Sequence, residues 1–495
     1  MRSFTQFAIV CFFTACFFSC NTETKAERNK FDEFVTALQT QGIATGNILV
    51  YEAGEVVHRS SNGLRSINPV DALDLNSQFR LASVSKQFTG MAIMKLKETG
   101  QLDYDQKVTT ILPDFPYGTI TVRQLLNHTS GLTDYERVIA NNFIKEDTTK
   151  TYILGNDDIL EVFYDVHPDL DFQPGEKWEY SNTGYLVLAT IVEKTSGQHF
   201  RAFLKERILD PVGMTNTTLY RYQIQSDANM PNRVFGYRTA LNQTDLISND
   251  YNIVNDVRGD GGIYSTLDDL YKWNLALANH TLISKAYLDE AWTPGILNNG
   301  EKTRYGFGWF LEQDAAKPRA VSHSGGWVGF VTYLFNEVGT KSGFVILTNN
   351  SGENFGDIIT GITNIREGKP YVMPKEKLVK EMAKRILADD ANSAMTYYHS
   401  KKTDTLNYEI SEGDINALGY QLIGDDHLDK AIAVFKLNIE EHPSSANPYD
   451  SYGDALLMKG DSVTALKNFK RCFEMDSTLL FAKEKFQKLE AALKK

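Results

Sequence analysis

Three short segments of this chain combine residue types that can do chemistry together. Ser83-Val84-Ser85-Lys86 sets a hydroxyl and an amine three residues apart at the opening of a helical pattern, on one face and within hydrogen-bond reach. A serine hydroxyl is a poor nucleophile until a neighbour takes its proton. A lysine whose ammonium is disfavoured by desolvation can take it, or can help another base to do so. The helix N-terminus adds a positive field that favours the developing alkoxide. In Tyr180-Ser181-Asn182, a phenol beside a cationic lysine loses its proton more readily and can act as general base, while the amide can hold a substrate carbonyl or the lysine. In His323-Ser324-Gly325-Gly326 the glycines let a substrate backbone lie close, and the Gly326 amide can serve as an oxyanion donor. Taken singly, each has an ordinary alternative: a surface lysine, a buried tyrosine, a structural histidine.

The elements that must position these residues are legible in outline. Asn47 to Tyr51 and Val56 to Arg59 are short β-rich runs split by Ala53-Gly54, the pattern of a hairpin. From Ser83 the period becomes helical, and Phe88, Met91, Ala92, Ile93, Met94 and Leu96 cover more than one face before Gly100, so this helix belongs at the centre of a core. From about Asp103 to Trp292 helices alternate with turn-rich loops such as Phe172-Gln173-Pro174-Gly175. Strands return at Tyr305 to Leu311, Val328 to Phe335 and Gly343 to Thr348. The simplest arrangement is α+β: early and late strands pair in one antiparallel sheet with a helical lobe beside it.

After Pro370 the sequence turns Lys- and Glu-rich and helical, and a 34-residue self-similarity appears. Leu418, Gly419, Ala431, Phe435 and Pro443 form one copy, and Gly453, Ala465 and Phe469 recur in the second, where Tyr452 and Ser477 replace Leu and Pro. This resembles a pair of tetratricopeptide repeats, in which small residues allow close helix contact and the aromatic fills the gap. Two repeats rarely hold a core alone, so capping helices are expected at 376–400 and 479–494. A plain helical hairpin without a binding role is the alternative.

At the other end, Arg2 and the apolar run Phe4 to Phe18 read as an export signal, too short to span a bilayer comfortably. The run ends at Phe17-Phe18-Ser19-Cys20, similar to a bacterial lipoprotein box in which Cys20 takes acyl chains, although Phe18 is bulkier than the usual residue there. An ordinary secretory signal cut nearby is the alternative. Expected boundaries are a signal at 1–19, a polar tether at 20–30, a catalytic domain at 31–370, a helical linker at 371–410 and the repeats at 411–495. Of 495 residues, 63 are acidic and 51 basic, and no strongly basic stretch appears, which excludes a nucleic-acid partner. Three of the four cysteines lie within the first twenty residues, so only Cys472 remains and a disulfide framework is out. No His-x-x-x-His or clustered-Cys pattern offers a metal site, and no cofactor is expected.

The ordered combination of segments closely resembles the serine β-lactamase and penicillin-binding protein superfamily, in its class C-like branch. The resemblance rests on Phe79-Arg80-Leu81-Ala82-Ser83-Val84-Ser85-Lys86-Gln87-Phe88-Thr89, Val122 to Leu132 with its Asn127-His128-Thr129-Ser130-Gly131, and Trp178-Glu179-Tyr180-Ser181-Asn182. Gly259-Asp260-Gly261-Gly262 and Tyr305-Gly306-Phe307-Gly308-Trp309 add to it, and together they span about residues 30 to 350. The resemblance implies a β-lactamase/transpeptidase-like fold in which Ser83 is acylated, Lys86 is its proton acceptor or electrostatic partner, and Tyr180 shuttles protons. It further implies an oxyanion hole from the amides of Ser83 and Gly326, and a substrate-binding set of Asn182, His323, Gly325 and Gly326. The Asn127 to Leu132 segment is expected to shape the lobe.

One departure matters. The third motif carries His323 where broad β-lactamases carry Lys, a permanent charge that grips a substrate carboxylate. Lys341-Ser342-Gly343 also fits the Lys form, but it reads as a hairpin turn and lacks the Gly-Gly-Trp-Val-Gly-Phe that follows Ser324. The expectation is an exported envelope serine hydrolase, lipid-anchored to a membrane, acting on an ester or D-amino-acid peptide with weak or no β-lactamase activity. Peptidoglycan fragments are candidate ligands, and the repeats are a candidate protein-interaction surface. The alternative is a catalytically weak penicillin- or peptidoglycan-binding module coupled to a repeat-mediated scaffold.

Overall fold

The computed structural model describes residues 30–145, 147, 149–222, 230–314, 316–350 and 354–494. The expected export signal, most of the expected tether and Cys20 lie outside the described residues. Among the described residues no helix is long and apolar enough to cross a membrane. They divide into two compact units: residues up to Arg238 with Ser248–Met373, and Thr239–Ile247 with Pro374–Lys495.

The first unit is built on strands whose side chains are sorted by the pleat. β1 (Gly46–Glu52) and β2 (Glu55–Asn62) form the expected hairpin, and β3 (Phe79–Arg80), β4 (Thr218–Leu219) and β5 (Ile263–Ser265) make a small separate sheet. β6 (Phe310–Leu311), β7 (Ala320–Trp327), β8 (Phe330–Glu337) and β9 (Ser342–Thr348) complete the main sheet in the order β6-β7-β8-β9-β1-β2, antiparallel throughout. Early and late strands therefore meet at β1 and β9, with Asn47 opposite Leu347 and Tyr51 opposite Gly343.

Because successive residues point to opposite faces, Ile48, Val50, Phe344 and Ile346 enter one core and Leu49, Tyr51, Val345 and Leu347 the other. A sheet covered on both faces explains why β9 is buried throughout rather than alternating. The first core is closed by α1 (30–40) and by α6 (Phe355–Arg366). Phe31, Phe34, Val35 and Leu38 follow the i, i+3, i+4, i+7 spacing of one helix face. The second core belongs to the helical lobe, which includes α2 (Lys86–Glu98), α3 (Tyr135–Asn142), α4 (Asn182–Ser196) and α5 (Leu267–Ala278). In α4 every residue from Thr183 to Val192 is buried, which makes it a central helix.

One strand differs from expectation. Within Tyr305 to Leu311 only Phe310 and Leu311 join the sheet. The preceding residues lie along α2 instead: a Cβ on Gly90 would collide with the Phe307 carbonyl, and one on Gly308 would come within 2.6 Å of the Lys86 carbonyl oxygen. Lys341 occupies the β8–β9 turn at φ 54° and donates nothing to the Ser83 region, its carbonyl accepting from the Gly54 amide.

The second unit is helical: α7 (Leu378–Ala388), α8 (Ala391–Lys401), α9 (Glu412–Gly424), α10 (Leu428–Glu441), α11 (Asn447–Lys459), α12 (Ser462–Met475) and α13 (Leu480–Leu493). The 34-residue period has a physical basis. A Cβ on Gly419 would lie 2.8 Å from Phe435 Cδ1, and one on Gly453 would lie 2.6 Å from Phe469 Cε1, so each glycine admits the aromatic of the next helix. Thr239–Ile247, drawn from far upstream in the chain, belongs to this unit through Leu241, which is buried among Leu378, Met382 and Ile386. Gln421 Nε2 donates to the Thr239 carbonyl at 2.9 Å.

Candidate active site

β3 delivers the chain to Ser83. Its pairing with β5 and the Leu81 amide bond to the Ile263 carbonyl at 2.8 Å fix the approach, and a 3-10 turn over Ala82–Ser85 then leads into α2. Ser83 is thus in the turn and Lys86 is the first residue of the α-helix. Ala82 sits at φ 47°, a left-handed conformation that costs a non-glycine residue about 1 kcal/mol or more and turns Ser83 toward the cleft. The start of α2 is locked by contacts on several sides: Ser85 Oγ accepts from the Ile263 amide at 3.3 Å, Thr89 Oγ1 donates to the Gly259 carbonyl at 2.6 Å, and Phe88 stacks on Trp273 at 4.4 Å.

Lys86 is fully buried, and its Nζ donates to Ser83 Oγ at 3.2 Å, Asn182 Oδ1 at 2.8 Å and the Asp260 carbonyl at 3.1 Å. Three acceptors match the three donors of an ammonium. The same nitrogen lies 4.8 Å from the centre of the Tyr180 ring. Ser181 is the N-cap of α4, its Oγ accepting from the Gly184 amide at 3.2 Å, and this cap sets Tyr180 and Asn182 on either side of it. The Tyr180 hydroxyl is buried and has no hydrogen-bond partner among the described residues. Its ring rests on His128, with centres 4.4 Å apart. His128 Nδ1 accepts from the Ser181 amide at 3.1 Å, and burial, aided by the Lys86 charge, holds the ring neutral by pushing its pKa well down. His128 thus forms part of the wall on which Tyr180 rests.

Gly325 and Gly326 do different jobs. A Cβ on Gly325 would strike the Leu81 carbonyl and come within 2.6 Å of Thr332 Oγ1 and 3.0 Å of the Ser83 amide nitrogen, so β7 can lie against the nucleophile's turn only with glycine there. Gly326 has open space where a Cβ would be and lines the cleft. His323 does not line it. Its Nδ1 donates to the Ser324 carbonyl at 2.6 Å, so Nε2 accepts from the Tyr305 hydroxyl at 2.8 Å. Burial first, then the Lys86 charge, pushes its pKa down to about 3, and the ring is neutral. Expected to bind substrate, His323 and Gly325 instead stand behind the cleft: the histidine because both nitrogens are engaged, the glycine because backbone fills the space in front of it.

The cleft holds about 190 Å³, roughly six water molecules at about 30 Å³ each, and suits a small acyl group. Besides Ser83, Asn182 and Gly326 it is lined by Glu136, Asp260 and Trp327. The acidic side was not anticipated. Asp134, the N-cap of α3, accepts from the Glu136 amide at 2.8 Å and from Asn182 Nδ2 at 3.4 Å, and the Tyr135 hydroxyl donates to Asp260 Oδ2 at 2.9 Å. Burial, then the charges of Asp134 and Asp260, raises Glu136 to about 7. A sequence signal existed, since Asp134-Tyr135-Glu136 directly follows Ser130-Gly131-Leu132-Thr133, but Asp then Glu at a helix start reads equally as ordinary capping.

A family model described as Beta-lactamase matches residues 29–363. The chain belongs to that family. Penicillin-binding protein 4* of Bacillus subtilis (strain 168) is 35% identical over 367 residues, 72% of this chain and 80% of that protein. The crystal structure of a penicillin binding protein from Bacillus halodurans has a TM-score of 0.59 at 24% identity, covering 67% of this chain and 98% of that one. The octameric penicillin-binding protein homologue from Pyrococcus abyssi has a TM-score of 0.58 at 25% identity, covering 69% and 77%. Members of the β-lactamase family are serine hydrolases, and the segments holding Ser83, Lys86, Tyr180 and His323 all fall inside the matched region.

Proposed function

We propose that this β-lactamase-family chain is a serine hydrolase that cleaves an ester or a D-amino-acid peptide through an acyl-enzyme on Ser83, with weak or no β-lactamase activity. The observation that carries this reading is Lys86 Nζ, buried, bonded at once to Ser83 Oγ and Asn182 Oδ1, and 4.8 Å from the centre of the Tyr180 ring. Ser83 Oγ attacks the carbonyl carbon while its proton passes to Tyr180 acting as a phenolate beside the Lys86 ammonium, and the amides of Ser83 and Gly326 receive the oxyanion. The proton then goes to the leaving group as its bond to the acyl carbon breaks. Water, deprotonated by Tyr180, releases the acid and restores Ser83. Weak β-lactam turnover is supported by His323, which is neutral and engaged where a lysine charge would be needed. Residues 1–20 support an envelope location with Cys20 as lipid anchor, and the paired helices of residues 412–475 support a repeat-type surface for a protein partner.

The test is a panel of p-nitrophenyl esters of rising chain length, D-alanyl peptides and a chromogenic cephalosporin, run on the mature protein and on Ser83→Ala. The expected result is turnover of esters or peptides, little of the cephalosporin, and a loss of about 10³-fold or more in the variant. Full activity in Ser83→Ala would sink the reading.

A further inference from the structure

The charges around the cleft are lopsided. Two cations reach it, and both are committed. Lys86 spends its three donors on Ser83, Asn182 and Asp260. Arg80, buried in the wall, gives its terminal nitrogens to the Asn255 side chain at 3.1 Å, the Asn255 carbonyl at 3.3 Å and the Tyr222 hydroxyl at 3.4 Å, leaving only Nε unpaired among the described residues. Asn255 Oδ1 also accepts from Trp327 Nε1 at 2.7 Å, so Arg80 braces the Trp327 wall. The third position that could have been cationic, His323, is neutral and faces away. On the anionic side, Asp134 and Asp260 are bonded to Asn182 and Tyr135, but the Glu136 carboxylate makes no hydrogen bond or ion pair with any described residue, although it is half-buried and lines the same cleft as Ser83.

A half-buried carboxylate with no partner gains from a cation brought to it, by roughly tenfold or more in binding for a charge-assisted hydrogen bond. The raised pKa of Glu136 shows how poorly its present surroundings compensate the charge. A carboxylate entering this cleft meets the reverse: two acidic side chains in the lining, and a single lining cation, Arg80, whose one unpaired nitrogen, Nε, is buried in the wall.

Building on the serine-hydrolase reading above, we propose that Glu136 is a specificity-determining residue that pairs with a protonated amine beside the scissile carbonyl. The preferred substrates are then small aminoacyl amides and esters with a free amino group, and acyl donors bearing a carboxylate are disfavoured. Glu136 and Ser83 line the same cleft of about 190 Å³, so the amine and the reacting carbon belong to one small acyl group.

The experiment compares alanine p-nitroanilide, in both configurations, with its N-acetyl and N-succinyl forms on the full mature chain and on Glu136→Gln and Glu136→Asp. The readout is the ratio of kcat/KM between the free amine and the N-acetyl compound within one preparation, so a general loss of active protein cancels. The wild type is expected to favour the amine at least about tenfold and to use the succinyl compound least. Glu136→Gln is expected to lower the ratio about tenfold and Glu136→Asp to keep part of it. A wild-type ratio of one or less, a preference for the succinyl form, or equal losses on both substrates in Glu136→Gln would overturn the proposal. Binding of alaninamide and N-acetylalaninamide to Ser83→Ala, by calorimetry, separates the two readings. Amine-selective binding without turnover in the wild type would defeat the hydrolase assignment and leave Glu136 in place, whereas turnover without amine preference would do the opposite.

Discussion

The pair of adjacent glycines on β7 offers a sharp test of how the nucleophile is held. Replacing Gly325 by Ala places a methyl group against the Leu81 carbonyl, 2.6 Å from Thr332 Oγ1 and 3.0 Å from the Ser83 amide nitrogen, whereas the same change at Gly326 meets nothing within 4 Å. Carbon needs about 3.5 Å from such atoms. Two of the three neighbours of the Gly325 methyl are backbone, so β7 or the Ser83 turn must move by about an ångström. Overpacking of this kind costs about 1–3 kcal/mol, and a displacement of about 1 Å at a reacting group costs about 100-fold in rate. Gly325→Ala should therefore lower the denaturation midpoint of the first unit and slow acylation of Ser83 by a fluorophosphonate about 100-fold. Gly326→Ala should leave the unfolding free energy within about 0.5 kcal/mol of the wild type. Thermal or urea melts of the two variants, side by side with stopped-flow labelling, decide it. Equal midpoints for the two variants, or wild-type labelling in Gly325→Ala, would refute the claim that backbone contact at Gly325 positions Ser83.

Other expectations follow from the buried rings and the tail. His323 has a folded pKa near 3, below its ordinary value of 6.5, so below about pH 6.5 only the unfolded chain takes up this proton and stability falls as pH drops toward 3. The contribution is at most about 1.4 kcal/mol per pH unit, and His323→Gln should flatten the stability–pH slope between pH 7 and 5 by up to that amount in urea titrations; an unchanged slope would contradict it. Phe469→Ala empties the space opposite Gly453 and should cost about 3–5 kcal/mol, read as faster amide hydrogen exchange across residues 447–475 with the first unit unchanged.

Much of the first unit was legible because its signals are local. The β1–β2 hairpin and the Ser83 to Lys86 pairing depend on neighbours a few residues apart, and the glycine–phenylalanine repeat of the tail recurs at a fixed period. The parts that were missed depend on partners far away in the chain. Lys86 meets the Asp260 carbonyl, and a backbone oxygen has no residue-type signature. His323 looked free to bind substrate because nothing near it in sequence announces that Tyr305 will occupy its second nitrogen. Residues 305–309 are apolar enough for a strand, yet packing against α2 overrides that preference. Glu136 could be recognised as exceptional only once the fold had shown that its carboxylate is paired with no described cation.

The excursion of Thr239–Ile247 into the helical unit bears on how this protein is made and on how it can be taken apart. Leu241 leaves the ribosome before any of Pro374–Lys495 exists, so its burial waits until the C-terminal helices have been synthesised. The helical unit is thus discontinuous in the gene. Cleavage after Met373 would cut one of its three covalent links to the first unit but would leave Leu241 seated among Leu378, Met382 and Ile386. Grafting a different helical array onto the first unit would succeed only if the nine residues Thr239–Ile247 were rewritten to match it.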